Sequence, residues 1–188
     1  MPPIIPDYDD ASMDVRKMKS LDEKLALDLA KDLIQWKIGK RNLLNSKTAC
    51  LLRKLSTQIE QKHEALFKNL CNRLDLNERN VTETCGQIAD ELIGNDINWG
   101  RIVVLYTFGA KVAEHFHENG TDLSDEISKW IGNYMAKKSD WIRKAGGWDA
   151  FTEQFKDVKE ENEKFWWNSL LCTTLGLGTL AAMLYVKS

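Results

Sequence analysis

The sequence predicts an all-α protein: a bundle of amphipathic helices wrapped around one hydrophobic central helix, followed by a C-terminal transmembrane helix. Three observations carry that prediction. All three prolines, Pro2, Pro3 and Pro6, lie in the first six of 188 residues, so beyond them nothing removes a backbone donor or clashes with a preceding helical turn. Period-two alternation and tight hairpin dipeptides are nearly absent, and the one Asn-Gly, Asn119-Gly120, stands between two helical patterns. Charge is unevenly placed: of 26 Lys plus Arg and 28 Asp plus Glu, all but Lys187 lie in the first 164 residues.

The same figures exclude whole classes. A net charge of −2 offers no basic footprint for nucleic acid. With 43% hydrophobic residues the chain has enough apolar surface for a core and is not of disordered composition.

Residues 1–19 read as a flexible acidic leader. No basic segment precedes an apolar run there, so a cleaved signal is not expected and the body faces the cytosol. Ser20 with Glu23 forms a capping box, after which Leu25, Leu29, Leu33 and Trp36 recur at helical spacing as far as Gly39. A second helix starts near Ser46 and carries Leu52, Leu55, Ile59, Leu66 and Leu70 on one stripe. Shorter helical patterns cover 82–93, 123–137 and 149–164. The stretch 99–116 differs, because residues 102–110 are uncharged and apolar on every side. Such a helix must be surrounded, and it is too short to span a bilayer. Residues 20–164 thus form the bundle.

Residues 165–188 are the membrane signal. An uncharged run of 17 residues opens on Leu170 and closes on Val186, about 25 Å of helix, which grows to about 33 Å when it is counted from Phe165. Trp166 and Trp167 stand where an interfacial aromatic belt would sit, with Lys187 at the other end. A buried helix folded back on the bundle is the alternative. With two residues after the run, insertion would follow synthesis.

Catalysis has no visible foothold, and no cofactor is expected. His115 and His117, two apart on a helix, point about 200° away from each other, which does not suit a metal. The chain has neither a phosphate-binding glycine loop nor a nucleophile elbow. Cys50, Cys71, Cys85 and Cys172 are too widely and irregularly spaced to frame disulfides.

Two local patterns invite a partner. Asn98 suits an N-cap, which places Arg101 in the first turn of the central helix, at the positive end of its dipole. An anion should offset that charge, either Glu91 or Asp96 from within the chain or a carboxylate from a partner. Farther along, Trp141 and Trp148 flank Gly146-Gly147, a pair able to end one helix, start another at a sharp angle, and bring two indoles together.

These residues resemble a known family. Asp90-Glu91-Leu92, the run Asn98-Trp99-Gly100-Arg101-Ile102-Val103, and Phe108-Gly109 look like the first homology motif of the Bcl-2 family of apoptosis regulators. Residues 141–151, from Trp141-Ile142 through Gly146-Gly147-Trp148-Asp149 to Phe151, resemble its second, and Asp32-Leu33-Ile34-Gln35-Trp36-Lys37-Ile38 its fourth. The third should fall at residues 52–59, where Ser56-Thr57 replaces the usual Gly-Asp, so this segment looks like a poor ligand for another member's groove.

The resemblance implies a Bcl-2-like helical bundle of the pro-survival type, with a surface groove that sequesters the amphipathic killer helix (Bcl-2 homology 3) of pro-apoptotic relatives. Carried over position by position, the groove comprises Ile59, His63, Phe67 and Leu70, then Ile88, Glu91 and Leu92, then Asn98, Trp99, Gly100 and Arg101, with Val104 and Phe108 as floor and Phe155 at the far end. Asn98 and Arg101 would take the killer helix's Asp. His63 falls where relatives often carry an aromatic, which would make that pocket more polar. The resemblance further implies Bax- and Bak-type partners and homo- or heterodimers. It also implies a tail anchor in the mitochondrial outer membrane or endoplasmic reticulum, beside a soluble cytosolic pool. The competing reading is a pore-forming effector of the Bax or Bak type, which shares the bundle and the anchor.

Overall fold

A computed structural model describes residues 8–156, apart from 42, 69, 95 and 96. All regular structure among them is helical: α1 Tyr8–Lys37, α2 Lys47–Lys62, α3 Glu64–Lys68, α4 Leu70–Arg73, α5 Val81–Ile93, α6 Trp99–Glu118, α7 Ser124–Ala136, α8 Ser139–Lys144 and α9 Gly147–Phe155. The uncharged pattern becomes α6, whose residues from Trp99 to Ala110 are all buried. Helices α1, α2, α5 and α7 pack around it, so its apolar surface has a neighbour on every side, as a helix without a polar face requires.

Small residues set the close crossings. A Cβ on Gly132 of α7 would lie 2.9 Å from Leu27 Cβ and 3.1 Å from Leu27 Cα on α1, so these two backbones meet because Gly132 has no side chain. The Tyr106 hydroxyl, fully buried in α6, donates to the Ala26 carbonyl at 2.9 Å. Burial holds its pKa above the ordinary phenol range. Tyr134 of α7 bridges to α5, donating to Ala89 O at 3.0 Å and lying 3.1 Å from Asp90 Oδ1.

Three expectations are corrected. Residues 8–19 are helical and continuous with α1, so the leader is not irregular up to residue 19. A capping box would need non-helical backbone at Ser20, and without a proline after Pro6 nothing stops the backbone ladder from running through it. The long second helix is interrupted at His63 (φ −118°, ψ 36°), whose N–H still donates to Ile59 O and whose carbonyl accepts from Leu66 N at 2.9 Å. The final pattern forms a helix over Gly147–Phe155, and its expected continuation to 164 lies outside the described residues. So do Trp166, Trp167, Leu170 and Val186, the residues of the expected anchor. No described helix is long and apolar enough to cross a membrane.

Candidate partner-helix groove

The apolar positions of the expected groove belong to one core cluster, and they are closed. Ile59, Phe67, Leu70, Ile88, Leu92, Val104 and Phe108 are each 3% exposed or less, with α2 and α5 packed directly on α6. The open space lies beside them. A cleft of about 410 Å³ is lined by Glu60, Gln61, Glu64, Phe67, Lys68 and Lys111. A hollow of about 70 Å³, which shares Phe67, Lys68 and Lys111, extends it to Cys71 and His115. Phe67 is thus a buried groove residue that also lines this cleft. His63 is half-buried at the end of α2, and burial together with Lys62 lowers its pKa.

Asn98 caps α6 as expected, its Oδ1 accepting from Arg101 N at 2.9 Å. The guanidinium also meets a neighbour that the sequence did not suggest. Arg101 is 8% exposed, and its Nη1 donates to the Leu92 carbonyl at 3.2 Å. Leu92 lies in the last turn of α5, where carbonyls lack helical partners and the helix end carries partial negative charge. The cation at the start of α6 therefore sits at the finish of α5. Glu91, one suggested counter-ion, is exposed, and Asp96 lies outside the described residues. Gly100 is buried beside Trp99.

Trp99 belongs with the glycine corner. Its ring lies 5.0 Å from Trp141, 5.4 Å from Trp148 and 5.5 Å from Phe151, centre to centre, and Phe155 extends the cluster at 5.2 Å from Phe151. Gly146 (φ +95°) and Gly147 (φ +71°) make the turn that brings α8 and α9 into this position. The Trp148 indole N–H reaches Asp22 O on α1 at 3.4 Å. Sequence reasoning paired two indoles and missed the third, although a Trp at the mouth of a buried helix had to find aromatic company somewhere.

The first-helix motif turns out to be a clamp. Leu33 and Ile34 are buried in the core, Trp36 packs against it, and Ile38 N closes the last turn onto Ile34 O at 3.0 Å. Asp32, 3% exposed, accepts from Leu44 N at 2.6 Å and from Arg53 Nη1 at 2.5 Å. It therefore ties both the α1–α2 connection and α2 itself to α1. Two further ion pairs went unforeseen: Lys37 with Glu60 at 2.7 Å, and Lys111 with Glu114 at 2.6 Å. Lys111 and Glu114 stand three apart on α6, a spacing the sequence displays, whereas nothing in an isolated stripe says that Lys37 of α1 will meet Glu60 of α2.

Among the described residues no group of three or more potential ligands could hold a metal, and Cys50, Cys71 and Cys85 are free thiols. Burial pushes the Cys71 and Cys85 thiols up to about 12.

Comparison with known proteins places this arrangement. The model of the Bcl-2 family, apoptosis regulator proteins, matches residues 52–148. Apoptosis regulator R11 of Xenopus laevis is 28% identical over 137 residues, 69% of this chain and 66% of its own length. Apoptosis regulator R1 of the same frog is 26% identical over 84% of this chain and 75% of its own. Human Bcl-2-like protein 1 is 29% identical over 55% of this chain and 46% of its own. The chain therefore spans about two thirds of the first of these relatives and under half of the human one. Among solved structures, zebrafish pro-survival protein NRZ, without ligand, superposes with a TM-score of 0.69 at 27% identity, covering 75% of this chain and 97% of that one. NRZ in complex with Bad BH3 gives 0.68 at 27%, covering 74% and 97%. Trichoplax adhaerens trBcl-2L2 bound to trBak BH3 gives 0.67 at 28%, covering 71% and 99%.

Proposed function

This chain belongs to the Bcl-2 family of apoptosis regulators, and from that premise we propose that it is a pro-survival member. In this reading it sequesters the killer helices of pro-apoptotic relatives in the groove between α2 and α6, and so restrains permeabilisation of the mitochondrial outer membrane. The observation that carries it is the pairing of a closed apolar wall, Ile59, Phe67, Leu70, Ile88 and Leu92, with Asn98 and Arg101 at the start of α6 beside it. Support comes from two neighbours at 27–28% identity, which are pro-survival or Bcl-2-like proteins solved with BH3 segments.

The mechanism is an exchange. Helices α3 and α4 span five and four residues, too short to hold themselves by their own hydrogen bonds, and they are the part of the wall that yields. An entering amphipathic helix replaces wall-to-floor contacts with its own apolar anchors, each worth about 1.5–3 kcal/mol when buried. Arg101 leaves the Leu92 carbonyl for the helix's Asp. A hydrogen bond between charged partners contributes about 1.5–3 kcal/mol against about 0.5–1.5 for the neutral acceptor, so the exchange favours the bound state and sets register. No bond is made or broken.

Thr57 supports the pro-survival assignment over the pore-forming one. Where a killer helix carries its Asp, this hydroxyl turns back on its own helix and donates to Arg53 O at 2.9 Å. The same proposal includes residues 165–188 as the membrane anchor and residues 20–164 as a body facing the cytosol, with the mitochondrial outer membrane as its location.

The test is to titrate the full chain in detergent with a panel of killer-helix peptides by calorimetry, then add it to Bax-driven liposome leakage. Binding together with suppression of leakage is expected. Absence of binding to every peptide, or dye release by the chain alone, overturns the assignment.

A further inference from the structure

The groove is closed and the cleft beside it is lined largely by charged side chains, so open apolar surface has to be sought elsewhere, and it lies at the glycine corner. A cavity of about 350 Å³ opens between Met18, Leu21 and Leu25 of α1 and Gly146-Gly147-Trp148. Met18 and Leu21 are 55% and 58% exposed, the highest values for large hydrophobic side chains among the described residues. With Leu25 they stand three and four residues apart, one stripe of a helix. This end of the stripe borders the cavity, whereas Leu29 and Leu33 are buried in the core. Asp22, half-buried, and Asp149, exposed, line the same cavity, and the cation in its lining, Arg143, lies 3.4 Å from Asp140. The surface is therefore apolar with carboxylate acceptors beside it, which suits aromatic side chains that carry an N–H.

The chain supplies such side chains close by. Residues 165–188 hold one charge, Lys187, and open on Phe165, Trp166 and Trp167. The nine residues of α9 place the corner about 14 Å back along the helix from its end at Phe155. Residues 157–164 reach up to about 26–29 Å, enough to return Phe165 to the corner. Resting on the reading of residues 165–188 as the membrane anchor, we propose that in the protein free of membrane the aromatic head of that segment, Phe165, Trp166 and Trp167, packs into this cavity, so that the anchor is stored on the outside of the bundle and the groove stays available to a killer helix. An indole buries a large ring and donates one N–H, for which Asp22 and Asp149 are acceptors, and the Met18 thioether packs favourably against an aromatic ring. An uncharged segment in water needs apolar cover, which neither the closed groove nor the charged cleft offers. Insertion into a bilayer withdraws the same residues and uncovers the cavity, so the two locations compete for them.

The experiment uses the full chain without detergent, with the photo-crosslinking residue benzoylphenylalanine in place of Leu21 in one preparation and of Leu66, on α3 at the groove side, in another. Irradiation and mass spectrometry should join the probe at position 21 to residues 165–172 of the same chain, and the probe at position 66 should not reach them. Phosphatidylcholine vesicles should then carry the chain upward in a flotation gradient and lower the crosslink yield about tenfold, because insertion draws the segment out of the docked population. Capture of the segment from position 66 instead, a crosslink only between two copies, or a chain that stays in solution only with detergent overturns the proposal. If the chain floats with the vesicles but position 21 captures nothing in their absence, only the docking fails; if it does not float and the crosslink persists, the anchor reading fails.

Discussion

Replacing Asp32 with Ala tests whether the first-helix motif is a clamp. The carboxylate is 3% exposed and fills two roles at once, accepting the Leu44 amide at 2.6 Å and the Arg53 guanidinium at 2.5 Å. Breaking a buried ion pair by removing one partner costs about 3–5 kcal/mol. The low end applies here, because the Arg53 side chain keeps 14% exposure and still reaches Leu44 O at 3.4 Å. The orphaned Leu44 amide lies in a connection with access to water, so it adds less than the full penalty of about 1–3 kcal/mol. The expected loss is about 3–4 kcal/mol, a large share of the roughly 5–15 kcal/mol that holds a domain folded, and a drop in Tm of about 6–16 °C at this size. Urea denaturation followed by circular dichroism measures it. The companion experiment replaces both partners, Asp32→Leu with Arg53→Met. Since removal of a whole buried pair is often nearly neutral, the double variant should be more stable than Asp32→Ala by about 1–3 kcal/mol. A loss below about 1 kcal/mol for Asp32→Ala, or a double variant no better than that single one, would refute the clamp.

Three further outcomes are expected. Arg101→Ala weakens killer-helix binding about tenfold or more and lowers stability by about 1–3 kcal/mol, because the Leu92 carbonyl loses its donor; calorimetry and urea melts on the same preparation separate the two, and unchanged affinity refutes the role of Arg101. Gly132→Ala costs about 1–2 kcal/mol after its gain in helix propensity, since its Cβ meets the Leu27 backbone, whereas Gly109→Ala costs less because its closest contact, at 2.5 Å, is the rotatable end of Ile131; reversal of that order in thermal melts counts against the α1–α7 crossing. Alkylation at pH 8 modifies exposed Cys50 first and reaches Cys71 and Cys85 only as fast as the bundle opens, because both thiols are buried and titrate near 12; mass spectrometry of the adducts over time reads it.

Helix positions were legible wherever a stripe and a cap agreed. Ser46 and Asn98 both cap as their residue types suggested, accepting from Ala49 N and Arg101 N. The uncharged run became the surrounded helix because a helix without a polar face has no other stable place. Boundaries failed where local residues permit two answers. Ser20 could cap or continue, and it continued; nothing in Lys62-His63-Glu64 forbids a helix, yet the chain breaks there, and Phe67 and Leu70 enter the core from the short helices that follow. Whether the groove stands open was not legible at all. The stripe of Ile59, Phe67 and Leu70 says which face is apolar, whereas its closure onto Val104 and Phe108 depends on how short helices settle over a floor, a property of packing that no residue pattern encodes.

Arg101 shows the same limit more sharply. Judged against its own helix, the charge stands at the unfavourable end of a dipole and asks for an anion. The structure adds the Leu92 carbonyl, in the last turn of the helix before it, so the finish of one dipole lies against the start of the next. The two termini together explain how the cation is tolerated while the groove is closed. They also explain why it can still favour a carboxylate when one arrives, since a full negative charge outbids a partial one at the same guanidinium. Leu92 and Arg101 thus join the two helix ends through one hydrogen bond, which a partner's carboxylate would replace with a stronger one.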